Sequence, residues 1–291
     1  MDQFYKDSFR SNSQTSTIFF SSSCDRGVIL NKGRNGARYA PQAILHSFGK
    51  FNQHKERSFT LKSLSSNQKE LSLHEQQLLN ITEITESLKG KTDQQLIHLG
   101  GGHDHIYSFA MAIEKISKDS IVILNLDAHL DTRINEPNSG TPFRQLDEDL
   151  KGPVHLIQYG IQFVSNSKST ASNLKNIKQE TFTIEQIEAQ TKSFKKKDKV
   201  LLKLLNELSK KASTLIISLD CDVIDGGQFQ AVSAVNGRGI PCQYLLSLLH
   251  EIKKIDFQHK HLGIYEYNPV FDNLSNFGSR YLAQFIEEFL A

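Results

Sequence analysis

The stretch IVILNLDAHLD, Ile121–Asp131, decides the fold class. Its first half, Ile121–Leu126, is a continuous apolar run and not an alternating one, as a strand covered on both faces requires. Its second half, Asp127-Ala128-His129-Leu130-Asp131, sets a polar side chain at every other position. Alternate residues of an extended segment point the same way, so Asp127, His129 and Asp131 can converge while Ala128 and Leu130 face elsewhere.

Working outward, Leu215–Leu219, Val154–Ile157 and Leu96–Leu99 read as strands of the same buried kind, with shorter candidates at Thr17–Phe20 and Leu262–Tyr265. Helical spacing separates them. Glu70–Lys89 carries Leu71, Leu78, Ile81, Ile84 and Leu88 on one face, and Ile106–Ser117, Gln243–Ile255 and Ser279–Leu290 read similarly. Ile184–Lys211 is helical with a break, and Pro241 is a start signal for the helix that follows it. Strands alternating with helices predict an α/β protein: a three-layer α/β/α arrangement with a mostly parallel central sheet. No repeat or Gly/Pro-rich linker divides the chain, so residues 1–291 read as one domain with residues 1–15 loose at their tip. The KKKDK run at Lys195–Lys199 reads as a solvated helix face or loop in preference to a contact patch.

Composition excludes several classes. Hydrophobic residues at 38% against 23% charged suffice for a sizeable core. A net charge of +2 gives no basic balance for gripping nucleic acid. No run reaches the ~18 apolar residues of a membrane span, and the polar start MDQFYKDSFRSNSQTST lacks the apolar core of a signal peptide. Cys24, Cys221 and Cys242 are odd in number and widely spaced, fitting neither a disulfide framework nor a zinc finger. A reduced, cytoplasmic setting is the expectation.

The chemistry gathers at three strand ends. Besides Asp127, His129 and Asp131, the strand at Leu215–Leu219 runs into Asp220-Cys221-Asp222, and Leu96–Leu99 runs into Gly100-Gly101-Gly102-His103-Asp104. Ligands of open parallel sheets bind outside the carboxyl ends of the strands. A lone Asp-x-Asp is more often a turn or helix cap than a ligand pair, but three such clusters together are not explained structurally. Two histidines and four aspartates would crowd four negative charges that repel one another, and two divalent cations balance them. The mixed donor set suits Mn²⁺ ahead of Zn²⁺, Fe²⁺ or Co²⁺. Two such ions ~3.5–4 Å apart can hold a bridging water and lower its pKa toward neutrality. His98, inside an apolar strand, reads as a satisfied core histidine. His105 reads as supporting, Cys221 as a core residue, and His155 receives no role.

At these residues the chain resembles the ureohydrolase superfamily, which includes arginase, agmatinase and formimidoylglutamase. GGGHD (Gly100–Asp104), NLDAHLDTR (Asn125–Arg133), SGTPF (Ser139–Phe143), SLDCDV (Ser218–Val223) and YEYNP (Tyr265–Pro269) occur in the family's order. The resemblance implies an arginase-like fold and two Mn²⁺ ions per subunit. One would be held by His103, Asp127, Asp131 and Asp220, the other by Asp127, His129, Asp220 and Asp222, with Asp127 and Asp220 bridging. Glu266 falls where the family places a carboxylate that holds the cationic amidine or guanidine group.

Within the superfamily the chain is most similar to formimidoylglutamases. GVILNKGRNGARYAPQAI (Gly27–Ile44) and GIQFVSNS (Gly160–Ser167) resemble that branch, and Gly102 precedes the metal histidine where arginases and agmatinases carry aspartate. Ser139 stands where those enzymes present a proton-shuttling histidine. The implied reaction is hydrolysis of N-formimidoyl-L-glutamate, a compound of histidine degradation, to L-glutamate and formamide by a metal-bridging hydroxide. Asp131 would help take up the proton, and the tetrahedral intermediate would be stabilised at the metals. A substrate with two carboxylates calls for arginine, and Arg133 is the first candidate, with Arg144 and Arg34 behind it. The alternative is a guanidino-compound ureohydrolase, acting on agmatine, guanidinobutyrate or arginine and releasing urea. A single-zinc deacetylase of similar fold would not need His103 and Asp131, and a non-enzymatic relative would show a broken ligand set. The expected partners are a small-molecule substrate and, by the habit of relatives, further copies of the chain, with neither nucleic acid nor membrane.

Overall fold

A computed structural model describes residues 5–9, 16–53, 56–65, 71–90, 93–117, 120–167 and 174–291. In chain order these form β1 (Thr17–Ser21), α1 (Arg26–Leu30), α2 (Ala40–Phe48), β2 (Phe59–Ser63), α3 (Leu73–Ser87), β3 (Gln95–Leu99), α4 (His105–Ile116), β4 (Ile121–Leu126) and α5 (Pro142–Asp149). There follow β5 (Val154–Ile161), β6 (Lys178–Thr183), α6 (Ile184–Thr191), α7 (Lys199–Leu208), β7 (Thr214–Asp220), α8 (Cys242–Lys253), β8 (His259–Tyr265) and α9 (Phe277–Leu290). The strands make one eight-stranded sheet in the order β2-β1-β3-β8-β7-β4-β5-β6. Every pairing is parallel, so the expected mostly parallel sheet is wholly so among the described residues.

The sheet is covered on both sides because its strands are apolar on both faces. Along β4 the side chains alternate between two cores: Val122, Leu124 and Leu126 in one, Ile121 and Ile123 in the other. The first core is closed by α2, α6, α7, α8 and α9, the second by α3, α4 and α5. This is the three-layer α/β/α arrangement.

Helix boundaries follow local chemistry. Ser72 caps α3 reciprocally with Glu75. The expected break within 184–211 is a turn in which Lys192, Ser193 and Phe194 all have positive φ, after which Asp198 caps α7. Lys195–Lys197 of the lysine run are exposed there, as a solvated loop should be, while Asp198 is buried. The edge strands β2 and β6 and the helices α1, α2 and α5 carry no signal that the periodicity reading registers. β6, for instance, is KQETFT, polar because only part of it is covered. Within the stretch 1–15, residues 1–4 and 10–15 lie outside the described residues. Tyr5 between them is buried, its ring stacked 4.6 Å from that of Phe48, a contact that the polar composition of the segment conceals. Among the described residues no helix is long and apolar enough to cross a membrane.

Candidate metal centre

The central strands β3-β8-β7-β4 lie side by side, and their register puts their carboxyl ends level. Leu126 of β4 pairs with Leu219 of β7, Asp220 with Tyr265 of β8, and Ile264 with Leu99 of β3. The next residues of each chain segment are therefore neighbours across the sheet edge: Asp127, Asp220, Glu266 and the loop leading to His103. Sequence separations of more than a hundred residues vanish at this edge.

That loop fits because of its glycines. A Cβ on Gly101 would stand 1.9 Å from the carbonyl oxygen of Cys24, so only glycine allows the two backbones to meet. Gly101 in turn accepts a hydrogen bond from the Glu266 amide at 2.8 Å. Glu266 and Asp131 both hold left-handed backbone, at φ 61° and 51°. Such conformations persist in non-glycine residues only where the surroundings over-determine them, and here both turn a carboxylate toward the same place.

The six residues expected as ligands come together in two groups, His103, Asp127, Asp131 and Asp220 in one and Asp127, His129 and Asp222 in the other. Within each, the donor atoms lie within 4.8 Å of one another. His103 Nδ1 is 2.8 Å from Asp131 Oδ2 and 3.2 Å from an oxygen of both Asp127 and Asp220. His129 Nδ1 is 2.9 Å from Asp222 Oδ2 and 3.6 Å from Asp127 Oδ1. Asp127 belongs to both groups, as a bridging ligand must, whereas Asp220 falls in the first alone.

Hydrogen bonds aim these groups. His103 Nε2 lies 2.9 Å from Ser218 Oγ, both fully buried, so a proton on Nε2 leaves the Nδ1 lone pair facing the three carboxylates. Asn125 donates to Asp127 Oδ2 at 3.0 Å and to Gln158 Oε1 at 2.8 Å. The His129 amide donates to Asp127 Oδ1, the Asp222 amide to Asp220 Oδ1, and the His103 amide to Glu266 Oε1. Sequence reading missed Ser218 and Asn125, though a signal was there: each stands two residues before a candidate ligand aspartate and so shares its face of the strand.

The electrostatics call for positive charge at the centre. Burial, then the charges of Asp222 and Asp127, pushes the Asp220 carboxyl well above its ordinary range. Burial, then the charge of Asp127, raises Asp131 to about 6, and burial raises Glu266 to about 8. Burial pushes Asp127 the same way, but its bonds to His103 and His129 outweigh this and hold it below the usual carboxylate range. The charge of Asp222 lifts the His129 imidazole well above its ordinary value. Two imidazoles set among four buried carboxylates make a donor set that fits divalent cations, which supply that charge without protons.

A cleft of about 230 Å³ opens onto the cluster, lined by His129, Asp131, Asp220, Asp222 and Glu266 at its floor and by Arg133, Ser139, Asn31, Lys32 and Ser233 higher up. Arg133 Nη1 donates to Asn31 Oδ1 at 2.8 Å, and Asn31 Nδ2 donates to Ser139 Oγ at 3.1 Å. Arg133 also lines an outer hollow of about 560 Å³ with Ile134, Val164 and Ser167. Arg144 and Arg34 are not brought to the cleft. Arg144 pairs with Glu148 one turn along α5 at 2.9 Å. Arg34 donates to the Ser233 carbonyl and lies 4.4 Å over the Phe271 ring, fastening two loops and not facing a ligand. His98 is a buried core residue held by Ser22 and Tyr265, and His105 supports the loop through the Cys24 carbonyl. Cys221 is packed in the core.

A family model for the arginase family matches residues 17–291, and the chain belongs to that family. It is a hydrolase acting on amidino compounds. Among its relatives is the formimidoylglutamase of Photorhabdus laumondii, 28% identical over 268 residues, which span 90% of this chain and 80% of that one. Among solved structures, formimidoylglutamase from Bacillus subtilis superposes with a TM-score of 0.86 at 22% identity, covering 99% of this chain and 91% of its own. Trypanosoma cruzi formiminoglutamase, solved with Mn²⁺, superposes with a TM-score of 0.81 at 16% identity, covering 100% and 98%. These two likenesses establish the arginase-like fold.

Proposed function

We propose that the chain is a formimidoylglutamase: with two Mn²⁺ ions it hydrolyses N-formimidoyl-L-glutamate to L-glutamate and formamide. The observation that carries the reading is the cleft itself, which sets Glu266 and Arg133 around one cluster of six metal-type ligands. Relatives that bear this name over most of their length, and a serine at position 139, support it further.

His103, Asp127, Asp131 and Asp220 would hold one ion, and Asp127, His129, Asp222 and a shared Asp220 the other. When bound, such a pair lowers the pKa of water to near neutrality and stabilises charge that develops on the substrate. Glu266, fixed by the His103 amide, orients the amidine head. Arg133, fixed by Asn31, takes a carboxylate and so sets the carbon at the correct depth. Asp131 accepts the proton released as water adds to the amidine carbon. The bond from that carbon to the glutamate nitrogen then breaks, the nitrogen leaves protonated as the amine, and the water oxygen ends in formamide. Ser139 has no imidazole to pass a proton, which removes the relay expected for guanidine cleavage. We place the enzyme in the cytoplasm as a homo-oligomer, which light scattering on the purified protein tests.

The deciding assay offers the Mn²⁺-loaded protein N-formimidoyl-L-glutamate, agmatine, arginine and 4-guanidinobutyrate in parallel. Equimolar formamide and glutamate from the first compound alone is the expected result. Urea from any guanidino compound, with no formamide, overturns the substrate and leaves a ureohydrolase.

A further inference from the structure

We infer that Lys32 is a second substrate anchor, holding the carboxylate that Arg133 does not, and that the pair selects dicarboxylate substrates. The inference rests on the reading of the site as a formimidoylglutamase. Among the described residues lining the cleft, Arg133 and Lys32 are the only lysine or arginine side chains. The two come from different segments, Arg133 from the loop after β4 and Lys32 from the end of α1.

The two cations are tied to each other. Arg133 donates to the side chain of Asn31, the residue directly before Lys32, so the segment that carries the lysine also fixes the guanidinium. Gly140 leaves room for the approach, since a Cβ there would crowd Asn31 Nδ2 at 3.2 Å and Arg133 Cδ at 3.3 Å. Only one of the guanidinium nitrogens is occupied by Asn31, which leaves donors for a carboxylate. The Lys32 side chain is exposed, and among the described residues no carboxylate lies within ion-pair distance of it.

Lys32 also occupies a position that backbone chemistry reserves for another residue. Its φ is 64°. Its amide bonds to the Ile29 carbonyl at 2.9 Å and that of Gly33 to the Val28 carbonyl at 2.8 Å, the paired bonds of a Schellman helix end. Glycine is the usual occupant of that left-handed position, because a Cβ is strained there. A lysine held in strained backbone at the rim of a metal site, beside the arginine fixed by its neighbour, matches a requirement for charge and not for the turn. The ligand chemistry follows: an amidine head at Glu266 and two carboxylates, one for each cation.

The test uses the Mn²⁺-loaded full chain, wild type and the variants Lys32→Met and Lys32→Gly. Three substrates are compared: N-formimidoyl-L-glutamate, N-formimidoyl-L-2-aminobutyrate without the side-chain carboxylate, and 4-(formimidoylamino)butyrate without the α-carboxylate. Both variants should lose roughly 10–100-fold in kcat/KM on the dicarboxylate, through KM, as loss of one charge-assisted contact does. Each should keep wild-type kcat/KM on the one monocarboxylate that lacks the group Lys32 holds. Lys32→Gly should at the same time raise Tm by a few degrees, by relieving the strained position. Equal losses on all three substrates mean a structural role and overturn the inference, as does dicarboxylate turnover by Lys32→Met within twofold of wild type. Wild-type protein that releases urea from guanidino compounds and no formamide overturns the underlying reading, and the inference with it.

Discussion

Ser218→Ala isolates how the chain prepares a ligand before any metal arrives. The serine hydroxyl lies 2.9 Å from His103 Nε2 in a fully buried setting. In the imidazole form whose Nδ1 lone pair faces Asp127, Asp131 and Asp220 the proton sits on Nε2, where this hydroxyl can accept its hydrogen bond. Alanine removes one methyl-sized polar group from β7 and introduces no clash. The Nε2 proton then loses its buried partner, at a cost of about 1–3 kcal/mol, and that cost falls on the form able to ligate. The competing form places its proton on Nδ1, where Asp131 at 2.8 Å welcomes it and metal binding is blocked. Converted at about 1.4 kcal/mol per factor of ten, Mn²⁺ binding at the His103 side should weaken roughly 5–100-fold. Calorimetric titration of the chelator-treated protein should therefore resolve one weakened step and one unchanged, because His129 does not share this contact. Affinity at both steps equal to wild type would refute the reasoning.

Other variants probe other parts of the site. Asp127→Ala strips a ligand from both donor groups and should reduce formamide release by at least roughly a thousandfold in a Mn²⁺-saturated assay; turnover near wild type contradicts a shared ligand. Arg133→Met should lower kcat/KM for N-formimidoyl-L-glutamate roughly 10–100-fold, with KM raised and kcat reduced, whereas Arg144→Ala, removing only a pair within α5, should leave both constants within twofold. Acid should weaken the fold through His261, whose Nδ1 accepts the Leu96 amide proton at 3.2 Å. Burial, aided by neighbouring His259, lowers its pKa from 6.5 to about 3. The unfolded chain therefore takes up a proton below pH 6.5 that the folded chain refuses until about pH 3, so stability is full above 6.5 and falls as the pH drops. By pH 5 the loss should be roughly 2 kcal/mol. His261→Asn keeps an acceptor for Leu96 and loses the titration. The difference between the two proteins in urea melts at pH 7 and pH 5 measures it, and an unchanged difference would refute the assignment.

The parts of this molecule that were legible in the sequence are those with one strong local cause. The strands β3, β4 and β7 are buried on both faces, so their composition is unambiguous, and the polar residues that follow them must lie at a sheet edge. The aspartates and histidines of the candidate metal site were readable as a cluster for that reason, and their allocation to two ions came from the family resemblance. The register that levels Leu126, Leu219 and Ile264, by contrast, is a property of pairing between distant segments. The edge strand β6 was hidden because a strand covered on part of one face has no need of an apolar run. Among the cations, Arg133 already stood ahead of Arg144 and Arg34 by its place two residues past Asp131, but the sequence left all three open. Only their partners separate them: Asn31 beside the cleft for the first, Glu148 and Phe271 away from it for the others. Lys32 was passed over because its interest lies in a backbone angle, which no side-chain pattern records.

The most direct test of a two-ion hydrolase is formamide release from N-formimidoyl-L-glutamate measured against Mn²⁺ bound per chain, as ions are added back to chelated protein. Negligible activity is expected at zero and one ion, full activity only as the second binds, and loss of both steps in Asp127→Ala. Full formamide release with one ion per chain, or with none, would contradict it.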